Sequence, residues 1–231
     1  MKVLKIVYSI VLIHALHISF AQNCAESFYI SKEGAKLTFE SYDDKNKLQT
    51  TQVQTMKSFK NTAGGFEATM SVNMTDKKGK SVLDNRNFDV KCDNGVFKMD
   101  LSALYLGTMN NLKDLEMEIS GEGITFPSNI EVGQELKSGE TEAKMKSSGT
   151  TLMTFRFNEI NRKVEKKESI TTPAGTFDCY KIVSETDIKM IIKRTIKTTS
   201  WIAKGVGLVR TETYNKKGAL ENYMILSKLE K

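Results

Sequence analysis

Histidine is almost missing from this chain. The 231 residues hold only His14 and His17, and both lie in an N-terminal segment that reads as a cleavable export signal. Lys2 and Lys5 come first, then the apolar run from Ile6 to Ile18, then Ser19-Phe20-Ala21 with small residues three and one before a cut. Cleavage is expected between Ala21 and Gln22. Loss of the segment removes the commonest general base and metal ligand, which excludes a Ser-His-Asp triad, a Cys-His dyad and any zinc site that uses histidine. Long apolar runs are lacking too. After Ala21 nothing approaches the roughly 18 residues that a membrane helix needs, so the mature chain is expected to have no transmembrane helix and to be exported to the periplasm or the cell exterior.

A strong charge of one sign is also absent. The formal charge is +6, falling to +4 once Lys2 and Lys5 leave, and the lysines are interleaved with acids instead of forming a block. That pattern describes a lysine-rich soluble surface, so no nucleic-acid partner is expected. Residues 22–231 are ample for a single β domain with a continuous core.

Cysteine is scarce: Cys24, Cys92 and Cys179 remain in the mature chain. In an oxidising compartment three cysteines give one bridge and one leftover thiol. Counting does not fix the pairing. Cys24 with Cys92 is favoured because it would pin the N-terminus, leaving Cys179 as a buried strand residue. Cys24 also lies close enough to the signal to raise an N-terminal lipid anchor, yet Ala21-Gln22-Asn23-Cys24 lacks leucine at minus three and carries asparagine where a small residue is expected.

What the chain has in quantity is period-two alternation. Phe66, Ala68, Met70, Val72 and Met74 alternate with Glu67, Thr69, Ser71 and Asn73. The same pattern recurs in Leu115, Met117 and Ile119, in Met153, Phe155 and Phe157, and from Asp187 to Trp201, where Ile188, Met190, Ile192 and Ile196 face away from Lys189, Lys193 and Lys197. Such segments are half-buried strands of a sheet with one wet face. Between them stand Tyr42-Asp43-Asp44-Lys45-Asn46-Lys47, Thr75-Asp76-Lys77-Lys78-Gly79-Lys80, Asp93-Asn94-Gly95 and Tyr214-Asn215-Lys216-Lys217-Gly218-Ala219, each expected to close a hairpin because Asp, Asn and Gly accept left-handed backbone. Thr172-Pro173-Ala174-Gly175 holds one of only two prolines and fits a type I turn. The count between turns is eleven or twelve strands, mostly sequential and antiparallel. One stretch breaks the period. Leu101, Leu104, Tyr105, Met109 and Leu112 share a helical stripe behind Asp100, which predicts one short helix against the sheet.

Candidate chemistry is thin. Glu116 and Glu118 share a strand face about 7 Å apart, the spacing of an inverting glycosidase pair, but alternating acids on a wet face are ordinary. Gly121-Glu122-Gly123 and Gly205-Val206-Gly207 extend to no phosphate-binding motif and sit between strands, where glycines make bulges and turns. No SxxK stands out, Asp43, Asp44 and Asp76 lack calcium-loop spacing, and no metal, cofactor or catalytic residue is expected. The inward set is instead rich in methionine, which packs irregular cores and adapts to variable apolar ligands. Met70, Met117, Met153 and Met190, with Phe155 and Phe157, are the candidate lining of a ligand cavity, with the 101–112 helix across its mouth.

Thr172-Pro173-Ala174-Gly175-Thr176-Phe177-Asp178-Cys179-Tyr180-Lys181-Ile182, then Trp201-Ile202-Ala203-Lys204-Gly205-Val206-Gly207-Leu208-Val209-Arg210, then Tyr214-Asn215-Lys216-Lys217-Gly218 resemble the TapB-like family of exported bacterial domains of unknown function. The Tyr42 hairpin and Cys92-Asp93-Asn94-Gly95 add support. The resemblance implies an antiparallel β-roll or incomplete barrel, like periplasmic lipoprotein carriers in outline, and no catalytic residue. Two functions stay open: a non-catalytic module binding a hydrophobic small molecule, lipid or peptide, and a structural component that contacts envelope proteins through sheet edges. An enzyme ranks third.

Overall fold

The computed structural model describes residues 24, 28–99, 116–121, 124–189 and 193–231. Among them lie thirteen strands: β1 (Lys36–Asp43), β2 (Leu48–Thr62), β3 (Gly65–Asp76), β4 (Ser81–Asp93), β5 (Val96–Met99), β6 (Glu116–Gly121), β7 (Ile124–Pro127), β8 (Gly139–Ser147), β9 (Thr150–Thr172), β10 (Gly175–Lys189), β11 (Lys193–Ala203), β12 (Gly207–Tyr214) and β13 (Leu220–Glu230). They form one curved antiparallel sheet in the order β6-β8-β9-β10-β11-β12-β13-β1-β2-β3-β4-β5-β7. The strand count exceeds the expected eleven or twelve by at least one. The expected 101–112 helix lies outside the described residues.

Three hairpins use one local device. The Oδ1 of Asp43 accepts from the backbone N–H groups of Lys45 and Lys47, that of Asp76 from Lys78 and Lys80, and that of Asn215 from Lys217 and Ala219. Three residues after each acceptor the chain turns left-handed, at Asn46 (φ 57°), Gly79 (φ 79°) and Gly218 (φ 78°). A side-chain oxygen thus satisfies donors that the tight turn strips of strand partners, and an Asn or Gly tolerates the backbone this requires. In both aspartates the donated N–H groups, Lys47 first for Asp43 and Lys80 first for Asp76, hold the carboxyl below its ordinary range.

The sheet curls. β11 and β7 are eight strand steps apart, which would separate them by roughly 40 Å in a flat sheet. Phe126 of β7 and Ile202 of β11 nevertheless line the same cavity. Part of the curl comes from a bulge in β9: Lys163 pairs with Val183 and Ile160 with Glu185, so Asn161 and Arg162 stand opposite Ser184 alone. Asn161 takes φ 54°. The extra residue shifts the alternation, so that Phe155 faces inward before the bulge and Arg162 and Val164 after it.

Among the described residues the main core gathers 22 buried ones, from β1–β5, from β10–β13 and from the segment preceding β1. Cys24 is bridged to Cys92 across 68 residues and pins that segment against β4. Only glycine fits at position 65 beside this bridge. A Cβ there would lie 2.2 Å from the Cys92 carbonyl oxygen and 2.6 Å from the Cys24 sulfur.

Candidate functional site

A cavity of about 370 Å³ opens where the main core meets a second cluster of Phe28, Ile130, Leu136, Val164, Tyr180, Ile182 and Ile202. Phe126 and Leu208 touch both clusters and line the space between them. The volume falls within the roughly 300–1,000 Å³ of small-molecule sites. β1 contributes Leu37 and Phe39, β3 Met74, β5 Phe97 and β13 Met224, while Phe28, Tyr29 and Ile30 close one side ahead of β1. Each strand supplies its inward positions, spaced by two, so the wall is a direct product of the pleat.

The polar groups in this wall are few and uncharged: Gln52, Gln54 and Ser200, with the Tyr29 ring. Gln52 is the unusual one. It is only 6% exposed and pairs across the sheet with Phe39 on one side and Met74 on the other. Among the described residues its carboxamide has no hydrogen-bond partner, and the residue lines the cavity. The Ser200 hydroxyl lies 3.3 Å from that of Thr211. The Tyr29 hydroxyl is sealed and unpartnered, and burial drives its ionisation far above the ordinary tyrosine range. Among the described residues no Asp, Glu, Lys or Arg lines the space.

The residues singled out from sequence are divided by the fold. Met70 is fully buried in the main core, Phe155 sits with Ala143 and Met145 in a small third cluster, and Met153 and Phe157 pack against that cluster. None of these four lines the 370 Å³ cavity. The backbone of Met117 pairs with Met145 in the β6–β8 ladder, and Met190 lies outside the described residues. Among the described residues, Met74 and Met224 are the methionines that line the space. Glu118, half of the candidate carboxylate pair, is exposed and bonded to Lys146, whose ammonium holds its carboxyl below the ordinary range. Gly205-Val206-Gly207 makes the β11–β12 turn, with Val206 N–H donating to the Ala203 carbonyl. Among the described residues no three His, Cys, Asp or Glu side chains cluster as metal ligands, and no helix is long and apolar enough to cross a membrane.

Beside the cavity stands a residue the alternation conceals. Arg162, its side chain fully buried, stacks its guanidinium 4.5 Å from the centroid of Phe126 and donates to the carbonyls of Thr125 and Lys137. Glu159 approaches its Nε at 3.4 Å. Through these contacts β9 holds the edge strand β7 and the segment leading to β8, which fixes one wall-forming aromatic. The neighbouring backbone bonds Gly133 N–H to Val164 and Leu136 N–H to Arg162 reinforce the same closure. A strand arginine reads as surface from sequence, and only the Asn161 bulge turns it inward.

The remaining thiol, Cys179, is 1% exposed, and burial pushes its ionisation up to about 11. It is a packing group of low reactivity at neutral pH.

Residues 32–226 match the DUF3108-like family. The chain belongs to that family. The match includes the C-terminal region that carries the TapB-like resemblance and extends N-terminally to just ahead of β1. Two crystal structures share the fold: a candidate exported protein with a YmcC-like fold from Bacteroides fragilis NCTC 9343, and a candidate lipoprotein from Parabacteroides distasonis ATCC 8503. Each is 23% identical to this chain, has a TM-score of 0.74 and covers 89% of it, with 100% and 99% of their own chains matched. No curated protein matches the sequence.

Proposed function

We propose that this protein is an exported, non-catalytic binding module that holds an apolar ligand inside its curled sheet. The observation that carries the reading is the 370 Å³ cavity, whose wall is almost wholly aliphatic and aromatic with a few uncharged polar groups. Apolar concavities with sparse polar anchors are the usual form of a small-molecule site. A filled interior at normal packing density leaves no such space. Export follows from the N-terminal segment, with the exported and lipoprotein descriptions of the two structural relatives in support. In the folded protein the Cys24 sulfur is taken up by Cys92 and is not free to carry a thioether-linked lipid, which favours an unanchored form.

Titration with the neutral, environment-sensitive dye Nile red, together with native mass spectrometry of protein recovered from the compartment of export, tests this. Saturable dye binding at one site and an intact mass of residues 22–231 are expected. Absence of saturable binding would overturn the reading.

A further inference from the structure

Building on that reading, we infer that the ligand is an uncharged amphiphile: an apolar chain carrying one neutral hydrogen-bonding group of the amide, ester or hydroxyl class, received by the Gln52 carboxamide. Two observations combine. The first is Gln52 itself, more than nine-tenths buried between Phe39 and Met74 with no partner for its carboxamide among the described residues. A buried carboxamide without a partner is destabilising, and its place in an otherwise apolar row has no packing advantage over leucine or methionine. Its two donors and its carbonyl acceptor suit a group that both accepts and donates, or an ester carbonyl that accepts only.

The second observation is the absence of charge. Among the described residues the wall offers no lysine or arginine to meet a carboxylate or phosphate, and no aspartate or glutamate to meet an ammonium. Taking an ion out of water beside Gln52 would leave it uncompensated, at a far greater penalty than an amide or ester incurs there. The surface lysines lie elsewhere and act on anions only at long range, where salt screens them. Tyr29 supplies no charge either, since its phenol stays protonated.

The test is displacement of bound Nile red at pH 8 and roughly 0.15 M salt, where surface attraction is damped. The competitors share one chain length: 1-monomyristoylglycerol, myristamide and ionised myristate. The two neutral compounds are expected to displace the dye at concentrations at least about tenfold below that of myristate. Gln52→Leu should weaken 1-monomyristoylglycerol about three- to tenfold more than it weakens Nile red, each measured on the folded variant. Equal displacement by myristate overturns the assignment of a neutral ligand without touching the binding reading, and does so on the parent protein, independent of how any variant folds. Unchanged 1-monomyristoylglycerol affinity in a folded Gln52→Leu overturns the role of Gln52. Failure of the parent to bind Nile red removes the binding reading and this inference with it.

Discussion

Met70 on β3 and Met153 on β9 belong to segments with the same alternation of apolar and polar residues, but the fold treats them differently. Met70 is 0% exposed among 22 buried residues, whereas Met153 lies half-buried against a cluster of three, Ala143, Met145 and Phe155. The difference is long-range. The strands from β11 round to β7 curl until their inward faces meet in the main core, while β8 and the first half of β9 form a wing that buries only a small cluster of its own. Period two makes a face apolar; the curl decides which apolar faces join the main core, and the curled part lines the apolar 370 Å³ cavity.

The comparison can be broken most forcefully at the bridge. Cys92→Ser should destabilise the curled part by about 4 kcal/mol, because a loop of 68 residues is no longer closed in the unfolded state. Urea unfolding would show this, and a loss under about 1 kcal/mol would mean the bridge is incidental to the curl.

Arg162→Ala comes next. It removes the donors to Thr125 and Lys137 and leaves Glu159 without its partner, and the expected loss is about 3 kcal/mol. Because Arg162 ties β7 to β9, amide exchange of β7 should accelerate more than that of β13. Uniform acceleration would contradict its role as a local closure.

The methionines sharpen the contrast directly. Met70→Ala should cost about 3 kcal/mol, within the range for a filled core, and Met153→Ala less than about 1 kcal/mol because its site is already partly open. Equal values would show that the wing is as well packed as the core.

The smallest effect concerns pH. Asp43 and Asp76 have folded-state carboxyls held below their ordinary range, so their contribution is present above that range and fades as pH falls through it, below about pH 4. Asp76→Asn should flatten the acid limb of the stability curve slightly. No change would mean that the turn bonds survive protonation.

Much of this molecule was legible in its sequence for local reasons. Alternation at Phe66 to Met74 and the Asp43, Asp76 and Asn215 turns depend on neighbours a few residues away, and strands and hairpins appear where those signals stand. The pairing of Cys24 with Cys92 was favoured among the alternatives and is the one formed. The cavity wall was less legible. In β2 the run Gln52-Val53-Gln54 reads with Val53 inward, yet the flanking strands β1 and β3 present Phe39, Leu37, Met74 and Val72 to the two glutamines. Cross-strand partners outweigh the single-strand pattern. Arg162 was hidden for a related reason: a one-residue bulge changes phase, and nothing but Asn161, a residue tolerant of left-handed backbone, hints at it. Met70, Met153, Phe155 and Phe157 share the alternation of the cavity wall, and alternation does not tell which of the curled faces meets the cavity.

The measurement that bears most directly on the central claim compares dye binding by two variants, one in each part of the sheet. Gln54→Phe places a ring in the cavity between Leu37 and Val72, and Phe157→Ala thins the wing. With both variants folded by circular dichroism, the account predicts that Gln54→Phe loses saturable Nile red binding and Phe157→Ala keeps the parent affinity. Binding that survives Gln54→Phe and is lost in Phe157→Ala would contradict it.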